Sequence, residues 1–107
     1  MSRPRVEILY FDGCPNYLHA RELVQEAAAE LGLDARIELV EVEGADRVAE
    51  LRFLGSPSIR VDGHDVEPGA DARDDFTFSC RIYRTDAGVV ETPDPLWIRE
   101  ALGAPAR

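Results

Sequence analysis

Chemistry in this chain is concentrated at two thiols, Cys14 within Phe11-Asp12-Gly13-Cys14-Pro15-Asn16-Tyr17 and Cys80 within Phe76-Thr77-Phe78-Ser79-Cys80. Cys14 sits between an apolar run, Val6 to Tyr10, and an amphipathic segment, Leu18 to Leu31, a pattern that reads as strand, turn and helix. Gly13 suits the turn, and Pro15 suits the first helical position because it has no N–H to lose there. That places Cys14 at the helix N-cap, where unsatisfied backbone N–H groups and the positive end of the helix dipole favour a thiolate. The plain alternative is a small buried hydrophobe. Cys80 shares an alternating face with Phe76, Phe78 and Ile82, which points to a buried packing role. The sharper alternative makes it a resolving cysteine for Cys14, which requires Cα atoms within about 7 Å. His19 lies too far round the helix from Cys14 for a Cys/His pair, and His64 follows a turn. The cysteines and histidines lack zinc-ligand spacing, and Asp71, Asp74 and Asp75 lack calcium-loop spacing, so no metal site and no cofactor are expected.

The elements that must position these thiols follow in order. Val6 to Tyr10 is apolar except at Glu7, as in a central strand covered on both faces. Ala20, Leu23, Val24, Ala27 and Leu31 form the inner stripe of the first helix, and Gly32 ends it. Ala35 to Val42 reads as a second strand, so strand-helix-strand implies a right-handed parallel crossover. Ala45 to Leu54 reads as a short helix ending at Gly55. Ser58 to Val61 is a strand, and Asp62-Gly63 turns it into a hairpin with His64-Asp65-Val66. Glu67 to Asp75 reads as an exposed loop. Phe76 to Tyr83 alternates as a further strand, which Thr85-Asp86-Ala87-Gly88 returns through Val89-Val90. Asp94-Pro95 starts a terminal helix packed through Leu96, Trp97, Ile98, Ala101 and Leu102. Residues Gly103 to Arg107 are expected to fray.

At 107 residues, with 45% hydrophobic and 31% charged residues, the chain is expected to form a single domain, residues 1–107, of soluble globular class. All 12 basic residues are Arg, and the net charge of −9 argues against a nucleic-acid or anionic-membrane binder, which needs clustered cations. No stretch approaches the roughly 20 apolar residues of a membrane helix, and the residues ahead of the first strand lack the apolar core and cleavage site of a signal peptide, so none is expected. A cytoplasmic location is expected, where two cysteines are free or redox-active more often than structural.

The strand ending in Cys14-Pro15 at a helix start resembles the way thioredoxin-like proteins present their reactive cysteine. More narrowly, Phe11-Asp12-Gly13-Cys14-Pro15-Asn16 is similar to small bacterial thioredoxin-like proteins, a group that includes selenoproteins with selenocysteine at the position of Cys14. Gly55-Ser56-Pro57-Ser58-Ile59 is similar to the segment whose cis-proline lies against the active cysteine. The resemblance implies an α/β fold, a thioredoxin-like three-layer sandwich with a mixed central sheet and strand-helix-strand-helix-hairpin-helix order. It implies catalysis by Cys14, with Ser56 and Pro57 as a backbone platform for an extended substrate. The family's second cysteine is replaced by Tyr17, which either offers its hydroxyl to a bound substrate or shields the site, and the family's buried acid is replaced by Ile8. The expected function is thiol-disulfide exchange or peroxide chemistry at Cys14, released by Cys80 or by an external thiol, with a protein or small-molecule thiol or disulfide as partner. Two alternatives stand beside it: a thiolate module that captures a soft ion such as mercury or arsenite, and a non-catalytic interaction domain.

Overall fold

The computed structural model describes residues 4–103, an α/β arrangement of one four-stranded mixed sheet, a two-stranded sheet and three helices. Strands β1 (Arg5–Tyr10), β2 (Arg36–Glu41), β3 (Ser58–Val61) and β4 (His64–Asp65) lie in the order β2-β1-β3-β4. β1 pairs parallel with β2 and antiparallel with β3, and β3 pairs antiparallel with β4. The apolar strand thus occupies the interior of the sheet, and the crossover through helix α1 (Tyr17–Glu30) joins parallel neighbours as expected.

The period of two along β1 divides the core. Val6 and Ile8 pack with Ala20, Val24 and Ala27 of α1, with Ile59 and Val61 of β3, and with Ile98 and Leu102 of helix α3 (Pro95–Gly103). Leu9 faces the other way, toward Val42, Phe53 and Val48 of helix α2 (Val48–Leu51). Asp94 caps α3 through a 2.9 Å bond that its Oδ1 accepts from the Leu96 N–H, with Pro95 at the first helical position. Asp62 (φ 51°) and Gly63 (φ 86°) make the tight turn between β3 and β4, the left-handed pair that such a hairpin needs. Strands β5 (Tyr83–Thr85) and β6 (Gly88–Val90) form the second hairpin.

Several expectations are corrected. The second helix is a 3-10 turn at Ala45–Arg47 followed by a single α-turn, stopped when Arg52 adopts a left-handed conformation (φ 54°) before Gly55 is reached. Leu31 and Leu96 are exposed, because each lies beyond the edge of its helix's packed stripe. The loop after β4 is folded back, with Ala70 buried and Asp71 accepting bonds from the Asp65 N–H (2.9 Å) and the His64 ring (3.0 Å). The strand expected over Phe76 to Tyr83 begins only at Tyr83. Of Gly103 to Arg107, expected to fray, Gly103 is the last residue of α3 and the other four lie outside the described residues.

Candidate functional site

The site is built around a turn, a bend and a strap. Residues 11–14 form the turn: the Cys14 N–H donates to the Phe11 carbonyl (3.2 Å), and Gly13 takes φ +99°, which the third position of a type II turn requires. The chain needs two further residues before the helix begins, so the N-cap of α1 is Asn16, and Pro15 lies outside the first helical turn. The expected N-cap position for Cys14 is therefore corrected: the thiol precedes the cap by two residues. It is also buried, at 2% exposure. It does lie at the proline bend, with Sγ donating to the Ser56 carbonyl oxygen at 3.7 Å.

The bend runs through Gly55, Ser56 and Pro57, all buried, with a cis Ser56-Pro57 bond. Ser58 Oγ ties it back by donating to the Gly55 carbonyl (2.6 Å). Neither hydrogen-bonding group of the Ser56 backbone is open to an incoming strand, because the chain's own residues 77–83 are laid along the bend. The Ser56 N–H donates to the Ser79 carbonyl (2.9 Å), and the Arg81 N–H donates to the Ser56 carbonyl (2.9 Å). The Thr77 N–H donates to Phe53 O (2.9 Å), continuing the pairing, and Ser56 and Cys80 form a parallel bridge. The vacant platform expected at Ser56 and Pro57 is thus filled from within the molecule.

Arg81 anchors this strap. Its guanidinium is 2% exposed and donates to Asp65 Oδ2 (2.8 Å), Glu67 Oε1 (2.7 Å) and Ser58 Oγ (2.9 Å), while stacking 4.4 Å from the Tyr83 ring centroid. Desolvation by burial opposes the charge, but Asp65 and its neighbours outweigh it and hold Arg81 above the usual arginine range. Tyr83 is fully buried, its hydroxyl donates to the Pro57 carbonyl, and burial pushes its ionisation well up. Gly55 allows the close approach: at φ +114°, a methyl group there would lie 2.8 Å from Arg81 Cβ and 3.1 Å from Ser79 O.

The strap carries Cys80 to Cys14. Cys14 Sγ donates to the Ser56 carbonyl and Cys80 pairs with Ser56 in the parallel bridge, so both cysteines meet the same residue, and no disulfide joins them. Cys80 is exposed, which corrects the expected buried packing role: its segment is held by backbone bonds to 53–56 and leaves the alternating side chains, Phe78 and Ile82 among them, in solvent. Although the residue is exposed, partial loss of water around its thiol, followed by the charge and hydrogen bond of Cys14, raises its ionisation above that of an ordinary cysteine.

The ring of Tyr17 stacks on Tyr10 at 4.1 Å and packs against the larger core. His19 and His64 lie apart from the thiols, beside Glu22 and Asp71. Among the described residues no group of three or more His, Cys, Asp and Glu side chains is arranged to hold a metal ion, and no helix is long and apolar enough to cross a membrane. Arg81, Tyr83, Asp65 and Glu67 are not singled out by sequence reasoning. The one cue is that Arg81 is the single charged residue in the alternating stretch from Phe76 to Tyr83, a residue type that is rarely buried without a partner. Comparison with models of protein families finds no match, and comparison with curated proteins finds none.

Proposed function

We propose that this chain is a thiol redox protein whose working unit is the pair Cys14 and Cys80, cycling between dithiol and internal disulfide. The observation that carries the reading is the convergence of both cysteines on Ser56, whose carbonyl accepts from Cys14 Sγ and whose backbone pairs with Cys80 in a parallel bridge. Exchange requires two sulfurs within reach of one another, and the strap supplies that proximity without a second cysteine in the Cys14 turn. A thioredoxin-like frame is supported by the parallel β1-α1-β2 unit, by the antiparallel β3-β4 hairpin, and by a cysteine just ahead of α1 against the Ser56-Pro57 bend. We assign the activity to a reducing cytoplasm, with a thiol or disulfide compound as partner.

Peroxide tests this. Oxidation of one thiolate to a sulfenic acid, followed by condensation with the other thiol and loss of water, leaves a wild-type chain lighter by two hydrogens. Cys14→Ser and Cys80→Ser retain a lone oxidised or unmodified sulfur and lack that product. A wild-type chain that accumulates over-oxidised sulfur without forming the internal bond overturns the proposal. The same adjacency favours one second reading, two-sulfur capture of a soft ion such as mercury. In that case one ion per chain is held by the wild type and lost by either serine variant, while peroxide produces no internal disulfide.

A further inference from the structure

We infer that Cys80, the thiol on the strap, is the sulfur that meets an external partner, that Cys14 is the resolving thiol, and that the partner is a small disulfide and not an extended peptide. This rests on the dithiol reading above and assigns the roles within it. Three observations carry it. Cys14 is 2% exposed and covered by the strap, whereas Cys80 is exposed. The N–H and C=O of Ser56, which an extended peptide would need for strand pairing, are both taken by Ser79 and Arg81. The strap is fixed on either side of Cys80 by those bonds and by the buried Arg81 and Tyr83, so the exposed sulfur is presented without the strap leaving.

The reaction balances as two exchanges. The Cys80 thiolate attacks one sulfur of a small disulfide RSSR, forming a Cys80-S-S-R bond, breaking the S–S bond of the reagent and releasing one RS⁻. The Cys14 thiolate then attacks the Cys80 sulfur, forming the Cys14-Cys80 bond and releasing the second RS⁻. The chain loses two electrons and two protons, and RSSR is reduced to two thiols. Return to the dithiol state uses two equivalents of an external thiol reductant: the first attacks the Cys80 sulfur and expels Cys14, and the second attacks the reductant's sulfur in the mixed disulfide, releasing the Cys80 thiolate and an external disulfide. The raised ionisation of Cys80 slows the first attack at neutral pH but does not redirect it, since the covered Cys14 is out of the reagent's reach.

The test uses dipyridyl disulfide, a small uncharged reagent, on the reduced full-length protein and its variants under native conditions, reading thiopyridone release and intact mass. Cys14→Ser is expected to react at least as fast as the first phase of wild type and to keep one pyridyl adduct at Cys80, and Cys14→Ala provides the same reading if the buried hydroxyl perturbs folding. Cys80→Ser is expected to react at least about tenfold more slowly, as a covered thiol does. Fast labelling of Cys80→Ser together with slow labelling of Cys14→Ser overturns the role assignment while leaving the dithiol pair intact. A wild type that ends with two pyridyl adducts and no internal disulfide overturns the dithiol reading itself, and the role assignment with it.

Discussion

Replacing Gly55 by alanine tests whether the strap is seated as closely as the thiol pair requires. The added methyl would lie 2.8 Å from Arg81 Cβ, 3.1 Å from Ser79 O and 3.2 Å from Arg81 Cα, and the backbone sits at φ +114°. Gly88 in the β5-β6 turn is the control, because its φ is +106° and a methyl group added there would meet nothing within 4 Å. Both substitutions share the conformational penalty of an L-residue at such a dihedral, about 1–3 kcal/mol. Only Gly55→Ala adds overpacking against backbone, a further ~1–3 kcal/mol. The expected difference between the variants is that second amount, which for a domain of this size lowers the melting midpoint by about 4–8 °C per kcal/mol. Urea unfolding followed by the fluorescence of Trp97, whose ring centroid lies 6.3 Å from that of Tyr83, reads the loss where the strap docks. Gly55→Ala is also expected to form less internal disulfide under peroxide, whereas Gly88→Ala matches wild type. If the two variants agree in stability within about 0.5 kcal/mol, which is the usual size of a surface effect, the close seating of the strap is refuted.

Three further outcomes are expected. Arg81→Met strands the Asp65 carboxylate, which is 5% exposed, and is expected to destabilise the fold by about 3–5 kcal/mol in urea unfolding; adding Asp65→Asn to it costs less than Asp65→Asn costs alone. In Cys14→Ala, the charge and hydrogen bond that help to hold the Cys80 thiol up are gone, so the midpoint of its pH-rate profile toward dipyridyl disulfide falls below the wild-type value, with the part due to burial remaining. Burial pushes the Asp71 carboxyl up, but the Asp65 N–H and the His64 ring outweigh it, leaving the carboxyl below its ordinary value. A carboxylate depressed in the folded state stabilises above its unfolded pKa and loses that contribution as pH falls through the folded one, so Asp71→Asn is expected to weaken the fold near neutrality and to match wild type in acid; since the group is more than half exposed, the difference stays within about 1 kcal/mol.

The first two thirds of the chain are legible in the sequence because local patterns decide them. A nearly unbroken apolar run gives the interior strand, a stripe at helical spacing gives α1, and Asp62-Gly63 dictates its own turn. The turn at Cys14 is legible to within two residues, an error typical of helix starts, where Pro15 fits either the preceding turn or the first helical position. Residues 76–82 defeat the same reasoning. Their alternation is that of a strand, but they pair with the bend at 53–56 through isolated backbone bonds, and the polar member, Arg81, turns inward because Asp65 and Glu67 await it. Periodicity cannot register that inversion, since it depends on two acids more than a dozen residues away. The alternation consequently assigns Cys80 to an apolar interior, when it is the exposed member of the pair.

How long the strap stays closed decides what can reach Cys14. Opening it returns Arg81, Asp65 and Glu67 to water together, so the buried ion pairs contribute little to the closed state, however firmly they resist loss of a single partner. The opposition to opening lies elsewhere, in three backbone bonds worth about 0.5–1.5 kcal/mol each and in the burial of an aromatic ring worth about 1.5–3 kcal/mol, here Tyr83. Together these hold the open form to a fraction on the order of one in a hundred or below. A peptide competing for the Ser56 backbone would have its affinity reduced by that fraction, whereas a small disulfide meeting Cys80 bears no such reduction. The strap therefore selects by closure as well as by position, admitting at one sulfur what it excludes from the other.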